Sequence, residues 1–103
     1  MASFYELDKI LSTIERNEYF VDFLNTKSLD AGIIRLREDQ KDTQTTHSLD
    51  ELYYVIEGEG YILVNQKNHR ISKGTTIFVP AYTEHNFLGN RGDLIVLYVF
   101  ARG

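Results

Sequence analysis

The sequence predicts an all-β protein, a small antiparallel sandwich or barrel preceded by one short α-helix. Three observations predict it. Helical periodicity is confined to positions 1–17, and the remainder is a series of short apolar or alternating runs. Turn chemistry interrupts those runs at roughly the eight-to-twelve-residue spacing of sandwiches and barrels. Finally, seven Tyr, six Phe and many Ile and Val supply the aromatic and β-branched side chains that suit a pleated, half-buried surface.

The helix is read first. Leu7, Ile10, Leu11 and Ile14 fall at i, i+3, i+4 and i+7 and form one apolar stripe. Ser3 and Glu6 have the spacing of a capping box, and Asn17 follows Arg16 as a terminator. The stripe is expected to cover one flank of the sheet. Strands are predicted at 19–24, 31–37, 52–57, 61–64, 76–79, 85–88 and 94–100. Glu57-Gly58-Glu59-Gly60, Asn65-Gln66-Lys67-Asn68, Ser72-Lys73-Gly74 and Gly89-Asn90-Arg91-Gly92 are the turns between them. His69 is placed in a turn on the surface, and Glu57 and Glu59 are solvated turn charges. The polar stretch 38–46 separates two strands; its first half reads as a solvated loop.

At 103 residues the chain has room for one core, so positions 1–17 (helix) and 18–103 (barrel) are expected to form a single domain. An apolar content of 43% is that of a folded protein. The net charge of −4 gives no basic field for phosphates, so nucleic acid is not an expected partner. No cysteine is present, which excludes disulfides and thiolate metal sites. No basic region followed by an apolar run opens the chain. The longest apolar run, Leu94–Ala101, is too short to cross a bilayer as a helix. The expected location is the cytoplasm, with no membrane partner.

Two stretches carry the chemistry. His47-Ser48-Leu49-Asp50-Glu51 places a histidine four residues before a glutamate, which leads into a strand and closes at Gly58. Gly74 through Pro80 to His85 places a second histidine five residues after a proline that closes a strand. Together they resemble the paired motifs of the cupin superfamily, H-x-H-x(3,4)-E-x(6)-G followed by G-x(5)-P-x-G-x-x-H-x(3)-N. In this resemblance His47 falls on the second histidine of the first motif, Glu51 on its glutamate and Gly58 on its glycine. Gly74, Pro80 and His85 fall on the glycine, proline and histidine of the second. The likeness implies a cupin or jelly-roll barrel with a metal in its mouth, held by His47, Glu51 and His85.

Two imidazole nitrogens and one carboxylate suit a divalent transition metal such as Fe, Mn, Zn, Ni, Co or Cu. Three protein ligands leave positions open for water or substrate, as in catalytic sites. The sequence also departs from the motif. Thr45 stands where the first histidine is expected, and Thr45, Gln44 or a water is left to fill that place. Tyr82 replaces a glycine, so the turn before His85 is expected to avoid positive φ. The motif's asparagine falls on Gly89, beside Asn90, and Gly32 lies too far upstream to be its leading glycine.

Strand alternation adds neighbours. If Glu51 points inward, so do Tyr53 and Val55; if His85 does, so does Phe87. Tyr53 is the candidate catalytic residue for handling protons, with barrel lining as its plain role. Arg35 alternates with Ile34 and Leu36 and is expected to face outward. Cupins include dioxygenases, isomerases, lyases and non-enzymatic binders, so the fold alone does not give the reaction. The resemblance implies a small metal-dependent enzyme acting on a small oxygen-bearing substrate. The alternatives are a sugar- or effector-binding barrel and a degenerate structural one. The segment 94–100 is apolar on both faces and its outer face needs cover, so a homodimer is expected.

Overall fold

The computed structural model describes residues 1–102; Gly103, the last residue of the predicted barrel, lies outside the described residues. Among the described residues eight strands follow one helix: α1 (Leu7–Leu11), β1 (Phe20–Asn25), β2 (Leu29–Leu36), β3 (Glu51–Glu57), β4 (Glu59–Val64), β5 (Lys67–Ser72), β6 (Thr76–Val79), β7 (His85–Leu88) and β8 (Leu94–Ala101). They form a five-stranded sheet in the order β1-β2-β8-β3-β6 and a three-stranded sheet in the order β5-β4-β7. Every pairing is antiparallel. The crossovers fold the two sheets face to face as a jelly-roll barrel.

Alternation decides which side chains fill it. On β8, Leu94, Val96 and Tyr98 are buried, and on β3 Glu51, Tyr53 and Val55 are buried. They meet Ile34 and Leu36 of β2, Ile62 of β4 and Phe87 of β7 in one core. Each fully buried aliphatic or aromatic side chain there contributes on the order of 1.5–3 kcal/mol. Arg35 alternates to the other face of β2, where its guanidinium holds Asp93 at 2.8 Å.

The helix is shorter than the predicted span of positions 1–17. Ser12 and Thr13 turn their hydroxyls back onto the carbonyls of Lys9 and Ile10, each at 2.7 Å, and compete with the helical ladder. The amides of Thr13 and Ile14 then bond three residues back, so the last turn tightens and the helix stops. The expected capping box does not form: Glu6 is the N-cap and makes no side-chain cap bond. The apolar stripe nevertheless lies against the sheet, with Ile14 buried and Leu7, Ile10 and Leu11 half-buried.

Strand β5 corrects the reading of residues 65–72. His69 stands in a strand, exposed, opposite Ile62 of β4. Sequence reading missed β5 because it pairs only with β4 at the sheet edge and five of its six residues are exposed. With only Ile71 buried there is no alternation to see. The turn itself is Asn65-Gln66, both at positive φ. Among the described residues, no helix is long and apolar enough to cross a membrane.

Candidate metal centre

His47, Glu51 and His85 converge. One ligating atom from each lies within 4.8 Å of the others. Glu51 opens β3, between Val79 of β6 and Phe100 of β8. His85 opens β7, opposite Val64 of β4. The centre therefore draws on both sheets, and barrel closure brings its parts together.

Two connections fix the approach. The Tyr82 amide donates to the His47 carbonyl at 2.7 Å, joining the turn before His85 to the loop before Glu51. The Asp50 carboxylate accepts from the Ala81 amide at 2.9 Å, and its carbonyl accepts from the Ala101 amide. Tyr82 keeps the conformation that the motif glycine would have had. Its φ is 65°, contrary to the expectation that the turn would avoid positive φ. The bond to His47 holds the backbone there, and the side chain, 77% exposed, meets no crowding in solvent.

His85 is oriented by its backbone partner. Its Nδ1 lies 2.8 Å from the Thr83 carbonyl, which can only accept, so Nδ1 carries the hydrogen. In the neutral ring, Nε2 then presents a lone pair. It faces Glu51 Oε1 at 3.2 Å and the Tyr53 hydroxyl at 2.9 Å, with both the histidine and glutamate side chains almost fully buried. Among the described residues, Glu51 Oε1 has no other hydrogen-bond donor. Two lone pairs held face to face in a dry interior are costly, and either a proton on Nε2 or a cation between them relieves the contact. Burial pulls the His85 pKa down. The Glu51 carboxylate, the Thr83 carbonyl and the charge of Asp42 more than offset it, and the pKa lies above the ordinary histidine value.

These residues fit a divalent metal. The donor set is right, Glu51 has an unpartnered oxygen aimed at the other donors, and His85 gives its second N–H to a carbonyl, as metal-bound histidines commonly do.

Of the two residues considered for the place of the missing first histidine, Gln44 is the one with its side chain against the triad, and both line the adjoining cavity. Gln44 Oε1 lies 3.4 Å from His47 Nε2 and accepts from the Tyr53 hydroxyl at 3.1 Å, whereas Thr45 is exposed. Asp42 sets it there: its carboxylate accepts from the Gln44 side-chain amide and from the Phe87 backbone amide, both at 2.7 Å, and from the Gln44 backbone amide at 3.0 Å. The segment read as a solvated loop is thus pinned to β7 by its end. Asp42 and Gln44 stand at i and i+2 and share a face if the chain is extended, which is the signal that could have found Asp42.

Tyr53 is fully buried, with its hydroxyl between His85 and Gln44. Burial first, and then the Glu51 charge, raises its pKa far above that of a free phenol. Its single hydroxyl hydrogen is donated to Gln44 Oε1. In front of the triad lies a cavity of about 380 Å³, lined by His47, Glu51 and Gln44 on one side and by Phe20, Tyr98 and Phe100 on another.

The barrel agrees with comparisons to known proteins. The Cupin domain family model matches residues 32–101. The chain belongs to the cupin superfamily. It is 30% identical over 98 residues to an uncharacterized protein of Streptomyces coelicolor, covering 94% of this chain and 93% of that one. The crystal structure of a Thermus thermophilus protein shares the fold with a TM-score of 0.82 at 19% identity, over 96% of each chain. A salicylate 1,2-dioxygenase variant from Pseudoaminobacter salicylatoxidans in complex with gentisate matches with a TM-score of 0.72 at 16% identity, over 79% of this chain and 24% of the dioxygenase.

Proposed function

We propose that the protein is a small metal-dependent enzyme, with His47, Glu51 and His85 holding one divalent transition metal and a small oxygen-bearing substrate binding in the adjoining cavity. The observation that carries this reading is the buried, unpartnered Glu51 Oε1 facing the lone pair of His85 Nε2 beside an open cavity. When bound, the ion would polarise a ligand oxygen or support O₂ chemistry, as the dioxygenase or the isomerase and lyase branches of the fold do. The chain does the rest. Thr83 fixes the tautomer of His85, Asp42 places Gln44, and the Tyr53 hydroxyl lies between the two, donating its one hydrogen to Gln44 Oε1.

The second reading is a binding barrel without catalysis. The placement of Tyr53 favours it: the side chain is fully buried and is not among the residues that line the cavity where a substrate would bind. Metal content measured by mass spectrometry, beside a His47→Ala/His85→Ala double variant, tests the metal. About one equivalent that disappears in the variant supports the site; no metal in either protein after reconstitution defeats it. Turnover of candidate chelating substrates then separates the enzyme from the binder.

A homodimer is part of the proposal. Leu52, Tyr54 and Phe78, on the outer face of the five-stranded sheet, are 45%, 43% and 61% exposed and flank half-buried Leu97 and Val99. Sedimentation at micromolar concentration that gives only monomer would remove this part.

A further inference from the structure

The cavity beside the triad has a second polar end. On β1, a bulge at Phe23 shifts the register between Asp22 and Leu24, and Asp22 lies opposite Gly32 of β2. Asp22 sits at the cavity rim, where its carboxylate accepts a hydrogen bond from the Tyr98 hydroxyl. Gly32 makes this meeting possible: a Cβ there would fall 2.1 Å from the Tyr98 oxygen and 2.4 Å from the Val21 carbonyl. Phe20, Ile34 and Phe100 supply apolar wall to the same cavity.

The charge around the cavity has one sign. Among the described residues its lining includes the carboxylates of Asp22 and Glu51 and no lysine or arginine. Arg102 is held by Asp30 at 2.6 Å. A metal at the triad would supply positive charge at one end only. The other end offers an acceptor and a negative field.

We infer that this cavity selects a small, flat chelator bearing a cationic or hydrogen-bond-donating tail, with Asp22 as the residue that recognises the tail. The chelating head rests on the metal reading proposed above; recognition of the tail by Asp22 does not. A ligand with an oxygen chelate at one end and a carboxylate or phosphate at the other is disfavoured, because its second anionic group would meet Asp22 with no countercharge. The volume of about 380 Å³ lies at the small end for ligand pockets and suits a single ring with a short tail.

The test uses the metal-loaded full chain and two catechols that share a chelating head: dopamine, with an ammonium tail, and 3,4-dihydroxyphenylacetate, with a carboxylate tail. Calorimetric titration at low ionic strength is expected to show dopamine binding about tenfold more tightly, the size set by exchanging attraction for repulsion at a partly exposed carboxylate. Asp22→Asn should reduce the ratio to about threefold or less, with metal content close to wild type. Tyr98→Phe, which removes the hydrogen bond and leaves the charge, should retain the preference. Equal or tighter binding of the carboxylate probe, or a ratio unchanged in Asp22→Asn, overturns the assignment. The metal-free protein is titrated in parallel with tyramine and 4-hydroxyphenylacetate, followed by NMR shifts of the cavity residues. A tyramine preference that Asp22→Asn abolishes upholds Asp22 even if neither catechol binds and the metal reading fails. No tyramine preference in the metal-free chain overturns the role of Asp22, whatever the metal does.

Discussion

Replacing Gly32 by alanine tests whether close approach, and not backbone freedom, requires glycine in β2. The added methyl would lie 2.1 Å from the Tyr98 hydroxyl oxygen, 2.2 Å from its ring carbon and 2.4 Å from the Val21 carbonyl oxygen. The first two contacts belong to a side chain that is only 3% exposed, and the third to the backbone of the neighbouring strand. Forced repacking of this kind costs about 1–3 kcal/mol. Displacing Tyr98 also breaks its hydrogen bond to the Asp22 carboxylate, worth about 1.5–3 kcal/mol. The lower entropy of the unfolded alanine chain returns about 0.4–1 kcal/mol. The net loss is about 3 kcal/mol, a large part of the 5–15 kcal/mol that holds a domain together. In a domain of this size it corresponds to a fall in Tm on the order of 15 °C. Gly74 is the control, because it has φ of +93° and nothing within 4 Å of an added Cβ. Gly74→Ala should cost only backbone strain, about 1–2 kcal/mol. Urea denaturation followed by far-ultraviolet circular dichroism measures both. If Gly32→Ala lost less than about 1 kcal/mol, or no more than Gly74→Ala, the steric account of this strand pair would be wrong.

Asp42→Ala removes the anchor of Gln44 and the partner of the Phe87 amide; we expect a loss of about 2 kcal/mol by denaturation. Competition with a chelator should also show metal binding weakened about 10-fold or more, as for other outer-shell partners of metal ligands. Tyr82→Gly relieves a positive φ without removing a buried side chain, and should raise stability by about 0.5 kcal/mol after the entropy cost of glycine; a lowered Tm would contradict the strain. The raised pKa of His85 sets the pH dependence. In the metal-free protein its stabilising contribution is complete below the unfolded value of about 6.5 and is lost as pH rises through the higher folded value. Metal requires the unprotonated ring, so the gain in Tm on adding metal should grow from pH 6 to pH 8. A gain that is flat or shrinks over that range in thermal scans would show that His85 is not competing for the ion.

Much of the barrel was legible because half-buried strands announce themselves. Glu51, Tyr53 and Val55 alternate inward as the pattern of β3 implied, and Phe87 follows His85 in the same way. Strand β5 was silent because five of its six residues are exposed and Ile71 alone is buried. The helix end was misread because the periodicity of Leu7 to Ile14 continues through a tightened turn, while the hydroxyls of Ser12 and Thr13 end the regular ladder. The triad residues could be named from spacing and Tyr53 and Phe87 from strand alternation, but the distant partners of Asp42 and Asp22 could not. Asp42 matters through contacts to Gln44 and to Phe87, 45 residues away along the chain, and the Asp22–Tyr98 pair spans 76. No local pattern encodes such meetings. Tyr82 shows a further limit: a residue's dislike of positive φ is worth about 1–2 kcal/mol, and a turn held by a bond to His47 can outweigh it.

The bond from the Tyr82 amide to the His47 carbonyl has a kinetic consequence. His85 meets Tyr53 across 32 residues of chain, and the donors come together only after β3 and β7 have taken their places in different sheets. An unfolded chain offers isolated histidines and carboxylates, each a poor trap for an ion. The entropy of closing the intervening loop must be met by hydrophobic pairing before any chelate can form. A metal bound there would be a latecomer in assembly. It should slow unfolding far more than it speeds folding, so the occupied barrel would owe its persistence to a high barrier against opening.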